Sequence, residues 1–217
     1  WDVLYYDLSV EPDFEKQFIR GANVIRFQVT ENFSRMQIDL QAPMMLNSAR
    51  WNGKELKKTR EDNVYYLEFP VVLKAGSMDS VQLVFSGNPR VAKRPPWDGG
   101  WIFKKDQKGR PWMTVACQGL GASVWFPCKD HQSDEPDQGV TLRITVPDTL
   151  FAVGNGRLQS ISPDKKGKET FTWAVKSPIN SYCIIPYIGK YVHWSENFKG
   201  ESGDLDCDYW VLDYEKD

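Results

Sequence analysis

The chain has 217 residues, of which 41% are hydrophobic, with 27 Lys and Arg against 29 Asp and Glu and a formal net charge of −2. That is enough apolar material for one large domain or two small ones. The absence of any run of about 18 apolar residues excludes a membrane-spanning helix, and the scattered cations give no electrostatic case for nucleic acid or an anionic surface.

In chain order, the pattern is dominated by period two. Strands are expected at 3–10, 22–30, 36–40, 64–70, 80–86, 112–117, 140–146, 171–176, 182–190 and 207–212. The clearest are Met36, Ile38 and Leu40 alternating with Gln37 and Asp39, and Val140, Leu142, Ile144 and Val146 alternating with Thr141, Arg143 and Thr145. Each reads as a half-buried strand with one wet face. Asn52-Gly53, Ala75-Gly76, Gly99-Gly100, Lys108-Gly109, Pro147-Asp148, Asn155-Gly156 and Lys166-Gly167 mark turns between them. Lys104 to Arg110 reads as a hairpin tip, and short turns are expected near 118–124 or after Pro178. No window carries a helical stripe. The expected fold is therefore an all-β, saddle-like antiparallel β-sandwich or open barrel with few or no helices, in one domain over 1–217.

The nine tryptophans read chiefly as core, with exposed aromatic platforms as the sharper alternative. Cys117, Cys128, Cys183 and Cys207 form no C-x-x-C pair and read as free, mostly buried thiols. A Cys117–Cys128 bridge is possible, but spacing alone does not argue for it. No signal peptide precedes Trp1, and both ends are abrupt, so the chain reads as a piece of something larger.

Catalytic signals are weak. Only His131 and His193 are present, and no H-E-x-x-H pair occurs. Cys128 and His131 have ligand-like spacing, but a structural zinc needs four ligands. Gly121-Ala122-Ser123 lacks the flanks of a nucleophile elbow. Asp130, Asp134, Glu135 and Asp137 do not follow calcium-loop spacing and read as a solvated loop. Nothing selects a carboxylate pair for glycoside hydrolysis. No catalytic or metal-binding residue is therefore assigned.

The unusual stretch is Cys117-Gln118-Gly119-Leu120-Gly121-Ala122-Ser123-Val124-Trp125-Phe126-Pro127-Cys128-Lys129-Asp130, running on to Asp134-Glu135-Pro136. Its small residues allow close backbone approach. It resembles the signature closing the N-terminal domain of the aminopeptidase N family of zinc metallopeptidases, through Gln118, Gly119, Trp125, Phe126, Pro127, Cys128 and Asp130. The strand Val140–Pro147, the turn Ala152–Gly156, the opening Tyr5–Val10 with Ile19-Arg20-Gly21, and the ending Asp208–Leu212 fit the same family. Two departures stand out. Lys129 to Pro136 is longer than the family's Cys-x-Asp-Glu-Pro, and Ala122-Ser123 replaces a frequent Arg.

The resemblance implies a non-catalytic cap on a downstream catalytic domain that is absent here, with zinc in that missing domain and none in this fragment. It implies that Gln118 helps hold the free amino group of a peptide substrate, with Gly119 and Leu120 beside it. A neutral amide oxygen can accept from an ammonium's three donors. Trp97, Trp101, Trp112 and Trp125 are expected to buttress the segment rather than line a cleft. The implied partners are the downstream domain and the peptide N-terminus, in a secreted or periplasmic setting, with a cytoplasmic one as the alternative. The rival reading is a carbohydrate-binding or adhesion module, which would show a row of exposed rings at Trp97, Trp101 and Trp112.

Overall fold

The computed structural model describes residues 1–201 and 203–216. The long opening hairpin β1 (Asp2–Asp13) and β2 (Phe18–Gln28) is followed by β3 (Phe33–Asp39), β4 (Met45–Trp51), β5 (Lys54–Glu55), β6 (Lys57–Glu61), β7 (Val64–Leu73) and β8 (Met78–Gly87). A second hairpin pairs β9 (Gly100–Lys105) with β10 (Pro111–Ala116). Then come β11 (Val140–Pro147), β12 (Phe151–Val153), β13 (Arg157–Pro163), β14 (Lys168–Val175), β15 (Tyr187–Gly189), β16 (Tyr191–Gly200) and β17 (Gly203–Leu212). Single 3₁₀ turns occupy Ala122–Val124 and Ser181–Cys183. The fold is all-β, as the alternation predicts.

Eight strands form the main sheet in the order β13-β14-β11-β1-β2-β8-β4-β5. Its neighbours are antiparallel except for β1 and β11, which run parallel with Tyr6 opposite Val140 and Val10 opposite Ile144. A three-stranded sheet β3-β7-β6 and a four-stranded sheet β12-β15-β10-β9 complete the body, and β16-β17 form a separate hairpin. Among the described residues no closed barrel forms.

The period-two pattern places Tyr6, Leu8 and Val10 of β1, Val81, Leu83 and Phe85 of β8, and Leu142, Ile144 and Val146 of β11 on the buried face of the main sheet. Met36, Ile38, Tyr65 and Leu67 meet them from the three-stranded sheet in one continuous core. Fully burying a side chain of this size contributes about 1.5–3 kcal/mol. Trp173 of β14 donates its indole N–H to the Ala152 carbonyl at 3.0 Å, which ties the main sheet to the four-stranded one. Arg110 binds Asp213 through two nitrogens at 2.7 and 2.6 Å, fastening the β9–β10 hairpin to the residues after β17.

Two expectations need correction. The strand expected at 182–190 is a 3₁₀ turn followed by the short β15, because the Asn180 side chain caps the turn by accepting from the Tyr182 N–H at 3.3 Å. Trp97 does not buttress anything: it is 81% exposed.

Gly21 carries a packing constraint that follows from the sheet. A Cβ there would run into the Ser9 carbonyl and stand 2.7 Å from the Phe85 ring. We expect Gly21→Val to destabilise the chain by about 1–3 kcal/mol through overpacking, read as a lowered urea midpoint with unchanged slope.

Candidate functional site

The signature stretch is the link from β10 to β11, which belong to different sheets. A segment crossing between sheets cannot satisfy its backbone in a ladder, so side chains must do it. The Cys117 carbonyl accepts from the N–H groups of Leu120 at 3.1 Å and Gly121 at 2.9 Å, closing a tight turn with Gln118 and Gly119 at its tip. Gly119 has φ +71, and a Cβ at this position would meet nothing within 4 Å. The backbone conformation, not crowding, requires glycine there. Gln118 and Gly119 are exposed and Leu120 is half-buried.

Asp130 holds the next turn. Its carboxylate accepts from the backbone N–H groups of Ala122 at 3.2 Å and Ser123 at 3.0 Å. It lies so close to Gly121 that any Cβ there would collide with it. Its own N–H donates to Asp39 Oδ2 at 2.8 Å. Asp39 and Cys128 exchange backbone bonds at 2.9 and 3.1 Å, extending β3 by one pair. Gln41 Nε2 donates to the Leu120 carbonyl at 2.6 Å and to Ser123 Oγ at 2.9 Å. Ser123 therefore has a partner for its hydroxyl. Asn23, fully buried on β2, donates to the Pro127 carbonyl at 2.9 Å. Lys129 donates its N–H to Tyr6 Oη at 3.1 Å, and its ammonium pairs with Asp134. Val3 N–H donates to Asp134 Oδ1 at 3.2 Å, so the lengthened loop is tied back to β1.

Beneath the turn, Trp125, Phe126 and Cys128 are fully buried. Trp125 meets Phe126 at 4.6 Å and Trp101 at 5.9 Å between ring centroids, both edge to face. Trp101 and Trp125 thus buttress the segment as expected. Trp112 is half-buried and donates its indole N–H to Tyr191 Oη at 2.8 Å. The three rings Trp97, Trp101 and Trp112 form no exposed row, which removes the feature expected of a sugar-binding face.

Gln118, Gly119 and Leu120 line one concavity of about 1180 Å³. Across it stands the face of the four-stranded sheet, with Ile102, Lys104, Trp112, Thr114 and Tyr187. The concavity is somewhat larger than the roughly 300–1,000 Å³ of most small-molecule clefts, and its lining mixes apolar and polar groups as theirs does. The sequence reading found the turn but missed Asn23, Asp39, Gln41 and Tyr6, which hold it from strands up to 123 residues away. Asp39 looked like any wet-face residue, and Tyr6 and Asn23 sit on core faces, so nothing local marked them.

Among the described residues no three His, Cys, Asp or Glu side chains converge to hold a metal. Cys128 is sealed in the core with its thiol pushed well up by burial. His131 is exposed and shares a 2.9 Å hydrogen bond with Ser133 Oγ. All four cysteines are free, as the spacing suggested.

The fold and the turn together describe a β domain presenting a hydrogen-bonded turn at the edge of a cleft. The chain belongs to the Peptidase M1 N-terminal domain family, whose model matches residues 3–183. Its fold is that of a single-residue mutant of an M1 zinc metallopeptidase from Deinococcus radiodurans, 21% identical with a TM-score of 0.82 over 98% of this chain and 48% of that one. The same mutant bound to a Tyr-Ser-Ala substrate gives 21% and 0.81 over 98% and 48%, and the unmutated enzyme 20% and 0.80 over 98% and 47%. The chain thus spans about half the length of these structures. No curated protein matches it. Among the described residues no helix is long and apolar enough to cross a membrane.

Two outcomes test the site. Gln41→Ala should cost about 1–2 kcal/mol from lost hydrogen bonds and speed amide exchange at Gly119 to Ser123 while leaving β-sheet circular dichroism intact. Burial pushes the Cys117 thiol from 9.0 up to about 12. At pH 8 Cys117 and Cys128 should resist a thiol reagent until the chain unfolds, while the half-buried Cys183 and Cys207 react first. The raised value also means the unfolded chain releases this proton first, so the contribution to stability holds below pH 9 and is lost between pH 9 and about 12.

Proposed function

We propose that this chain is the non-catalytic N-terminal domain of a larger zinc aminopeptidase, capping the active site of a downstream domain and helping to anchor the substrate's free amino group. The carrying observation is the Gln118-Gly119 tip, exposed on the wall of a large cleft in a chain of the M1 N-terminal family. The structurally similar M1 metallopeptidase mutant bound to a Tyr-Ser-Ala substrate supports a peptide as ligand.

In this reading the Gln118 amide oxygen accepts a hydrogen bond from the terminal ammonium. Bonds to a charged group contribute about 1.5–3 kcal/mol, equivalent to roughly 10- to 150-fold in affinity. An internal peptide bond lacks that ammonium and gains nothing. Gly119, having no side chain over open space, leaves room for the first residue. Leu120 has a double role: it lines the cleft, and it packs under Gly99, where a Cβ would stand 2.8 Å from its Cδ1. Hydrolysis, through the zinc-activated water that such enzymes use, is assigned to the downstream domain, and a secreted or periplasmic setting goes with the proposal.

The test uses the full-length protein. Gln118→Ala should lower kcat/KM for free-amine peptides roughly 10- to 150-fold, and Gln118→Glu should retain activity. Unchanged kinetics in Gln118→Ala would remove this residue from the site. The 217-residue chain alone should show no chelator-sensitive turnover of an aminoacyl chromogenic substrate; robust turnover would overturn the cap assignment.

A further inference from the structure

The sheet face across the cleft from Gln118 has a charge character of its own. In the β9–β10 hairpin, Lys104 stands opposite Trp112 and Ile102 opposite Thr114. Residues two apart on a strand share a face, and diagonal neighbours across an antiparallel pair lie within reach of long side chains. Lys104 and Thr114 are therefore neighbours on one wall, and both line the cleft.

Each carries an unused polar group. Lys108 and Arg110, farther along the hairpin, pair with Asp213, and Arg110 also with Asp106. Lys104 enters none of the ion pairs among the described residues. Thr114 is 5% exposed, and its hydroxyl oxygen is buried without a hydrogen-bond partner. A buried hydroxyl without a partner costs free energy unless something arrives to pair with it.

Among the described residues Asp130 is the one carboxylate on the cleft wall; its two oxygens accept the N–H groups of Ala122 and Ser123 and it forms no ion pair with Lys104. Gln118 is neutral. The wall around Lys104 is aromatic and apolar, with Trp112, Tyr187 and Ile102. Such a lining screens a charge less than open water does.

We infer that Lys104, with the Thr114 hydroxyl beside it, forms an anion subsite that recognises a carboxylate of the bound peptide. The inference rests on reading the cleft as a peptide site, and it adds a specificity element separate from the amine anchor. Two sources share this chemistry: an Asp or Glu side chain, and the C-terminal carboxylate of a short peptide.

The test uses the 217-residue chain and N-acetylated probes, which lack the amine that Gln118 is proposed to hold. Ac-Ala-Glu-NH2 is compared with Ac-Ala-Gln-NH2, and Ac-Ala-Ala-OH with Ac-Ala-Ala-NH2, by NMR titration following the Trp112 indole and the backbone of β9 and β10. The carboxylate member of at least one pair should bind about three- to fivefold more tightly, as expected of an exposed charge pair, and the difference should shrink with added salt. Lys104→Met should abolish the difference and Lys104→Arg should retain it. Preference within the first pair assigns a side chain, and within the second a chain terminus. Equal binding within both pairs, or a preference that survives Lys104→Met, overturns the inference. Because no probe has a free amine, failure of the Gln118 anchor would leave this result untouched.

Discussion

The carboxylate of Asp130 is the interaction on which the site depends. The link between β10 and β11 leaves one sheet and enters another, so its backbone has no ladder to join. Its polar groups are nonetheless buried against Trp101, Trp125 and Phe126. Unsatisfied, each would cost about 1–3 kcal/mol. Asp130 supplies two of the missing acceptors, Gln41 and Asn23 supply donors, and the Asp39–Cys128 bridge supplies both. These bonds hold the backbone beneath the exposed Gln118 tip, while the indole N–H groups of Trp101 and Trp125 stay buried without a partner.

This arrangement explains which features were legible in the sequence. Period-two alternation announced the strands with one apolar face, since a half-buried strand must alternate. Met36, Ile38 and Leu40, and Val140 through Val146, lie in the core as the pattern requires. Two edge strands, β6 and β13, were silent. β6, Lys57–Glu61, is Lys-Lys-Thr-Arg-Glu with no buried residue, and β13 is exposed along nearly all its length. An edge strand is held by its neighbour's backbone, and polar residues there protect it from pairing with other chains. Without an apolar face it leaves no alternation to read.

The site divides in the same way. Its tip was readable because glycine at a positive φ and a run of small residues are local properties of the chain. Its supports were not. Asp39 alternates properly with Ile38 and Leu40, so it looks like any wet-face residue, yet its carboxylate receives the N–H of Asp130, 91 residues on. Asn23 sits among apolar neighbours on β2 and reaches Pro127 across 104 residues. The parallel pairing of β1 with β11 brings these distant segments side by side, and pairing at that separation has no sequence signature. Trp97 shows the opposite error: a large aromatic suggests burial, but the short turn bearing it is closed by Asp98 accepting from the Lys93 and Arg94 N–H groups at 2.7 and 2.6 Å, which turns the ring outward.

If the Gln118 tip anchors a ligand as proposed, a group held this firmly binds differently from one on a free loop. Ordering a flexible segment and its side chains consumes part of the interaction energy on every encounter. Here the turn is closed by the Cys117 carbonyl, braced by Gln41 and Asp130, and seated on two fully buried rings, so the backbone is already ordered before any ligand arrives. Only the Gln118 side chain retains rotational freedom to lose. The cost was met during folding, by Asn23, Asp39, Gln41 and Asp130, none of which needs to touch a ligand. Such a domain can contribute selectivity to a reaction whose chemistry is carried out elsewhere, because selectivity of this kind requires a fixed acceptor and a fixed wall but no reactive group.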